Sequence, residues 1–299
     1  MTPSRNDSIF HQVVCRPALP LDTQDMLELT SQIWEGDDYI PKVWQEWLFD
    51  PQGLLGVAEF RCKIVGIGKL TRLSKQDWWL EGLRVHPEFE GQRIASHIQS
   101  YLLEIWEKTG SGMLRFATMS SREPVIHLAH VNGFHVVGEY STFKAPARSD
   151  IFKNEDPFSQ IEPHEKEKVV DWLTAHSGEK LAFGLMNLGW QFAPPQKEYL
   201  TEYLEGGLAW WWQGERGFVI MGDKKDGSET WGRIRTLACD HQDLVELLSD
   251  THLLAARFGY AGITWLAPLT SGIENLALQA GFKRDWESSL LIFEKSISG

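Results

Sequence analysis

Between Trp78 and Trp106 the chain reads WWLEGLRVHPEFEGQRIASHIQSYLLEIW, and the run Glu90-Gly91-Gln92-Arg93 in its middle has the makings of an anion-binding turn. Glycine allows a sharp bend, and a helix that starts directly after it presents free amide N–H groups and a positive dipole end. The chemistry this predicts is phosphate binding by main-chain donors, those of Gly91, Gln92, Ile94, Ala95 and Ser96. Glu90 would repel such a ligand. Arg93 lies three residues on, placed either to pair with Glu90 across the first helical turn or to reach a phosphate itself. An ordinary capped connection between strand and helix is the plain alternative.

Two elements must hold that turn. Trp79, Leu80, Leu83 and Val85 form an apolar, β-rich run that stops at His86-Pro87, while Ile94, Ile98, Tyr101, Leu102, Ile105 and Trp106 recur at helical spacing. Upstream, Val13 and Val14 start a strand, Asp22 or Thr23 caps a helix through Met26, Leu27, Leu29, Thr30 and Ile33, and a loop from Glu35 to Pro41 leads to a second helix through Val43, Trp44, Trp47 and Leu48. The runs Leu54 to Phe60 and Lys63 to Leu73 read as a hairpin turning at Arg61-Cys62. Downstream come a strand from Met113 to Thr118, a helix ended by Asn132-Gly133, and a strand from Phe134 to Phe143. This order predicts an α/β fold, a mixed sheet flanked by helices on both faces.

The stretch Ala145 to Glu165 is charged, aperiodic and carries Pro146, Pro157 and Pro163, so a boundary is expected there, dividing 1–146 from 147–299. The second part repeats the alternation of helices and strands, with a turn at Asp226-Gly227 and a strand at Trp231 to Cys239. VIHLAHVNGF at Val125 to Phe134 is echoed by IENLALQAGF at Ile273 to Phe282, which predicts two tandem copies of one fold.

Composition narrows the function classes. The chain has 299 residues, 42% hydrophobic and 23% charged, with no apolar run of membrane-spanning length, and its start lacks a signal-like segment. A cytoplasmic location is expected. The formal charge of -12 argues against nucleic-acid binding, which needs clustered cations. Cys15, Cys62 and Cys239 are scattered, and His127 with His130 lack further ligands, so no metal site is expected.

The stretch Glu81 to Ala95 resembles the cofactor-holding strand and loop of the GCN5-related N-acetyltransferases. That family's loop runs Gln or Arg, two residues, Gly, one residue, then Gly or Ala; Glu90 and Arg93 depart from it, whereas Gly91, Gln92, Ile94 and Ala95 keep the backbone donors. The resemblance implies two tandem acetyltransferase-like domains, the second degenerate, and acetyl-coenzyme A as co-substrate. It also implies a bulge near Leu83 to Val85 that parts two parallel strands, with main-chain groups of Leu83, Arg84 and Val85 along the pantetheine arm. The N–H of Leu83 or Arg84 is then the oxyanion donor. Glu81 is the candidate general base, expected by period two on the same strand face as Leu83 and Val85. The tyrosine that often protonates the thiolate in this family is replaced by Ala129.

Acceptor choice in the family falls to the loop that here is Glu35 to Pro41. Asp37 and Asp38, beside Trp34 and Tyr39, predict a small-molecule amine held by ion pairing and cation–π contact; helix capping and core packing are the competing roles. IWEGDDYIPKVWQEWL, WLEGLRVHP and LGWQFAPP are loosely similar to vertebrate histidine N-acetyltransferases and their relatives, implying a free amino acid such as histidine as acceptor. The second half has Asp240-His241-Gln242-Asp243 where the glycine turn would stand. It is expected to be structural or acceptor-shaping, with Trp210, Trp211 and Trp212 either covering the cleft or forming a core strand. The competing function is a non-catalytic acyl-coenzyme A-binding or scaffold module; the oligomeric state stays open.

Overall fold

The computed structural model describes residues 12–109, 112–148, 155–176 and 182–297. The contacts separate two compact units: residues up to Phe116 with Leu128–Phe134 and the chain from Glu294 on, and Ala117–His127 with His135–Phe293. The expected mixed α/β architecture with helix-flanked sheets is present.

In the first unit the strands β1 (Val14–Pro17), β2 (Leu54–Phe60), β3 (Lys63–Arg72), β4 (Asp77–Val85) and β5 (from Met113) lie side by side in that order. All neighbours are antiparallel except β4 and β5, which are parallel. The β2–β3 turn at Arg61-Cys62 has φ of 51° and 62°, the left-handed pair a two-residue hairpin asks for, adopted here without glycine. On one sheet face α1 (Thr23–Thr30) and α2 (Ile40–Leu48) bury Met26, Leu29, Ile40, Trp44 and Trp47 against Val57 and Ile67.

On the other face lies α3 (Ile94–Glu107), whose Ile94, Ile98 and Leu102 repeat every four residues and are buried. It approaches closely because β3 carries glycine there. A Cβ on Gly66 or Gly68 would stand 2.6 or 2.7 Å from the Ile98 side chain.

The second unit follows the same plan. An antiparallel run β10 (Ala209–Trp212), β11 (Gly217–Asp226) and β12 (Glu229–Cys239) is followed by α7 (Leu244–Arg257) and by β13 (Gly262–Pro268), parallel to β12. The sheet is extended by β6 (His135–Pro146) beside β13 and by the short β7 (Phe158–Gln160) beside β10. Two cores result. One includes Val219, Ile234 and Leu247; the other, under α5 (Lys166–His176) and α6 (Lys197–Glu205), includes Val169, Leu200 and Ile220. Cutting the chain at 146 would leave β6 with the first half, whereas by contact β6 lies in the second unit, paired with β13 from Tyr140 to Pro146.

The idea that Trp210, Trp211 and Trp212 cover a cleft gives way to the core-strand reading. They are 2%, 4% and 0% exposed, and β10 is buried on both faces, so alternate rings enter opposite cores. Trp212 Nε1 donates to Asp250 at 2.8 Å.

The parallel pairing of β4 and β5 is braced by a buried ion cluster. Arg115 on β5 holds Asp77 through Nη1 and Glu294 through Nε, each at 2.7 Å, with its own side chain 5% exposed. Removing the guanidinium would take the shared cation away from two largely buried carboxylates, with Ser74 Oγ still donating to Asp77 at 2.8 Å. Arg115→Ala is therefore expected to lower unfolding free energy by about 3–5 kcal/mol, read from the urea midpoint. A midpoint shift worth less than about 1 kcal/mol would show that the cluster is not a brace.

Candidate active site

The register between β4 and β5 runs from Asp77↔Met113 to Trp79↔Arg115 and goes no further. Beyond that point β4 continues to Val85 and no longer pairs with β5, leaving a gap in the ladder onto which Leu83 and Val85 turn main-chain groups. Arg84 departs from the expected set, because it pairs with Ile67 and its main-chain groups turn to β3, in step with the His86 N–H to Val65 carbonyl bond. The Arg115–Asp77 ion pair sits at the closed end of the gap.

Within that stretch β4 bulges. Lys69 pairs with Glu81 and Ile67 with Arg84, so Gly68 alone is faced by both Gly82 and Leu83. The bulge lies at Gly82-Leu83, earlier than the expected Leu83 to Val85; Arg84 and Val85 are already back in register with Ile67 and Gly66. Gly82 makes it possible, with φ of 65° and Trp47 so close that a Cβ would lie 2.5 Å from the indole ring.

The extra residue also overturns the expected sharing of faces. Opposed residues in a sheet point the same way, so Glu81 opposite Lys69 and Arg84 opposite Ile67 both face α1 and α2. Leu83, 3.9 Å from a Cβ placed on Gly68, and Val85, opposite Gly66, face α3. A plain period-two strand would have put Glu81, Leu83 and Val85 together. Glu81 is half-buried and accepts a hydrogen bond from Thr71 Oγ1 at 2.5 Å. The neighbouring Lys69 is fully buried but bonds to Asp50 and to the Leu70 carbonyl. Burial would push the Asp50 carboxyl up, yet the Lys69 hydrogen bond and the Gln52 N–H more than offset it and hold it below its ordinary range.

Ahead of α3 the chain makes a tight helical turn at Pro87–Phe89 and then the expected glycine bend. Gly91 has φ of 73° and nothing lies within 4 Å of where its Cβ would stand, so its backbone is approachable. The first α3 hydrogen bond is His97 N–H to Arg93 O, 3.1 Å, which leaves the N–H groups of Ile94, Ala95 and Ser96 ahead of any acceptor within the helix. Gln92 departs from the expected donor set, because its N–H bonds to the Phe89 carbonyl at 3.3 Å and its side chain to the Glu88 carbonyl at 3.0 Å. Glu90 is exposed. Arg93, also exposed, is the N-cap of α3 in the left-handed conformation, φ 61° and ψ 16°. The glycine usual at this place in the resembled family now has a physical reason: the position needs positive φ.

Around the gap's outer part lies the loop before α2. Arg84 holds Asp38 by two bonds, Nε to Oδ2 at 2.7 Å and Nη2 to Oδ1 at 3.2 Å, and its guanidinium stands 4.3 Å over the Trp34 ring and 5.4 Å from that of Tyr39. Asp38 also accepts from the Ile40 N–H at 3.2 Å, capping α2. The expected free charge of Asp38 is thereby corrected: the protein's own arginine occupies the carboxylate and the cation–π position. Asp37 and Glu35 remain at the surface beside Trp34 and Tyr39. Arg84 was read in the sequence only for its backbone, since its partner lies 46 residues away.

Ala129 is fully buried in α4 (Glu123–Val131), and His127 and His130 are exposed. No group of metal-ligating side chains occurs among the described residues. Tyr140 sits in the second unit against Phe183 and Phe192, and burial pushes its phenol well above its ordinary range.

Parallel strands that part beside a β-bulge, followed by a glycine turn and a helix N-terminus, give the first unit a fold like that of GNAT-type acetyltransferases. Residues 23–134 match the family model described as Acetyltransferase (GNAT) family. Among solved structures, a GCN5-related N-acetyltransferase from Sphaerobacter thermophilus has a TM-score of 0.64 at 13% identity, covering 96% of both chains. A putative acetyltransferase from Thermoplasma acidophilum gives 0.58 at 19% identity over 95% of this chain and 99% of its own. A tandem GNAT protein from the clavulanic acid biosynthesis pathway gives 0.59 at 10% identity over 96% and 99%. No curated protein matches the sequence at a significant level.

Two substitutions probe this geometry. Gly82→Ala forces a Cβ into Trp47 at a positive φ and is expected to cost about 2 kcal/mol or more in urea unfolding. Arg93→Gly removes a left-handed non-glycine residue and is expected to stabilise the protein by about 0.5–1 kcal/mol. A neutral result at either position would contradict the backbone described.

Proposed function

We propose that the first unit transfers the acetyl group of acetyl-coenzyme A to the primary amine of a small molecule by direct attack. The observation that carries this reading is the unpaired stretch of β4 beyond Trp79, bulged at Gly82-Leu83 and leading into the turn ahead of α3. Main-chain groups of Leu83 and Val85 on the side away from β3 suit the amides of a pantetheine arm laid in the gap like a strand, with Arg84 between them paired to Ile67. The approachable Gly91 backbone and the N–H groups of Ile94, Ala95 and Ser96 suit its pyrophosphate, with Arg93 close enough in sequence to add charge. Glu90 weakens that attraction.

In this reading the amine nitrogen attacks the thioester carbonyl carbon while the oxygen takes a hydrogen bond from the Leu83 N–H. The carbon–sulfur bond breaks, and Glu81, oriented by Thr71, receives the proton lost by the amine directly or through water. With Ala129 in the tyrosine's place, the thiolate leaves unassisted, which an ordinary thiol pKa of about 8.5 permits. Trp34, Tyr39 and Asp37 form the acceptor-facing surface; Asp38 shapes it through Arg84 rather than meeting the amine. A free amino acid such as histidine is the acceptor to test first, on the likeness of the segments around Trp34, Glu81 and Leu188. The second unit, without a glycine turn ahead of α7, takes a supporting part, and the action is placed in the cytoplasm without nucleic acid or membrane.

Titration calorimetry with acetyl-coenzyme A is expected to show saturable binding, and thiol release is expected with histidine among single amino acids. No binding at millimolar ligand would overturn the enzyme reading in favour of a scaffold. Glu81→Gln is expected to lower kcat about 100-fold and to abolish the acid limb of the pH–rate profile while leaving acetyl-coenzyme A affinity within about twofold. An unchanged rate and profile would remove Glu81 from the mechanism.

A further inference from the structure

The second unit places two arginines where the first has its active-site strand. β12 corresponds in order to β4, and it too is bulged: Ile220 pairs with Thr236 and Met221 with Ile234, which leaves Arg235 as the extra residue. Ile234 belongs to the core beside α7, whereas Ile220 belongs to the core under α5 and α6. Thr236, opposite Ile220, and Arg233, opposite Gly222, therefore point to the α5 and α6 side, and the bulged Arg235 turns there with them.

Neither guanidinium has an acidic partner among the described residues, and both are half-buried. Arg235 Nε is buried with no hydrogen-bond partner, and so is the hydroxyl of Thr236, a residue 3% exposed. Burial first, and then the neighbouring Arg235, lower the Arg233 pKa from its ordinary value. Two like charges held partly out of water, with an unsatisfied hydroxyl beside them, are costly unless something negative joins them.

The surroundings are shaped for close approach. Arg235 Nη1 lies 2.7 Å from where a Cβ on Gly189 would stand, and Gly189 has φ of 97°. The loop between β8 (Met186–Asn187) and β9 (Phe192–Ala193) is pinned by Asn187 Oδ1, which accepts from the N–H groups of Gly189 and Trp190 at 2.9 and 3.1 Å. Trp190 is itself left-handed, φ 83°, and stacks on Trp286 at 5.7 Å and 16°. Strain of this kind persists where the surroundings over-determine it, commonly at ligand sites. Tyr203 stands near enough for the Arg235 charge to oppose the rise that burial imposes on its phenol.

We infer that Arg233, Arg235 and Thr236 form an anion-binding site in the second unit that takes the carboxylate or phosphate of a small molecule. Both groups offer the planar or clustered oxygens that two guanidinium forks and a hydroxyl can share. The site is independent of acetyl transfer and uses none of the residues assigned to it. It gives the degenerate half a ligand of its own.

Thermal unfolding of the full chain, titrated at constant ionic strength with inorganic phosphate and separately with acetate, tests this. Saturable stabilisation by one or both is expected, and the anion that acts identifies the class. In Arg233→Gln and Arg235→Gln the apparent affinity should fall about tenfold or more, while the anion-free protein should gain Tm as the buried repulsion is relieved. Arg257→Gln, which breaks a surface pair with Asp156, should leave anion binding unchanged. If Arg235→Gln fails to fold, Arg233→Gln alone carries the measurement. No saturable effect of either anion, or an effect that persists in the glutamine variants, would overturn the proposal. The second result would assign the anion elsewhere, such as the turn ahead of α3.

Discussion

The candidate active site depends on one departure from regular pairing: β4 and β5 are bonded through Trp79 and Arg115 and then part. A parallel ladder left to itself would run on, because unpaired main-chain groups away from water are costly. Two constraints set where it stops. The buried Arg115–Asp77 pair closes one end, and the Gly82-Leu83 bulge turns β4 away from regular pairing further along. The glycines on β3 admit α3 to one face and Trp47 presses on the bulge from the other, so the strand is held in its bent form from both sides.

That bend also decides which side chains do what. One inserted residue places Glu81 and Arg84 together on the α1 and α2 face and sends Leu83 and Val85 to the α3 face. Arg84 then neutralises Asp38 and covers Trp34, leaving a surface of aromatic rings with Asp37 and Glu35 at its edge. Charge in this region is mostly internally matched, as with Lys69 and Asp50. Such matching favours a site whose specificity comes from shape and a few surface groups over one that draws cations by net charge.

The second unit repeats the strand order and the bulge but fills them differently. Where the first unit has a glycine bend before α3, the second has Asp240 to Asp243, with Asp243 bonded to Arg216 at 2.6 Å. Its bulge carries an arginine where the first carries glycine and leucine. A shared backbone device thus carries the proposed cofactor strand in one unit and the inferred anion site in the other. The bulge sets main-chain geometry while the residues on it set what that strand can bind, so one fold can carry different sites.

Much of this protein was legible along the chain. Periodicity placed the strands and helices, the Glu90 to Arg93 run marked the turn before α3, and the repeated Gly-Phe ends announced a second copy; each depends on neighbours within a few residues, which sequence displays directly. Three features were not legible. The bulge's position reversed the face of Glu81, Arg84 reached across 46 residues to Asp38, and Arg233 and Arg235 have no acidic partner among the described residues. Strand register and long-range ion pairing are set by the packing of whole elements, so only the tertiary structure decides them. Neighbouring residues alone place a glycine turn after an apolar strand; the fold decided which face each of that strand's side chains takes.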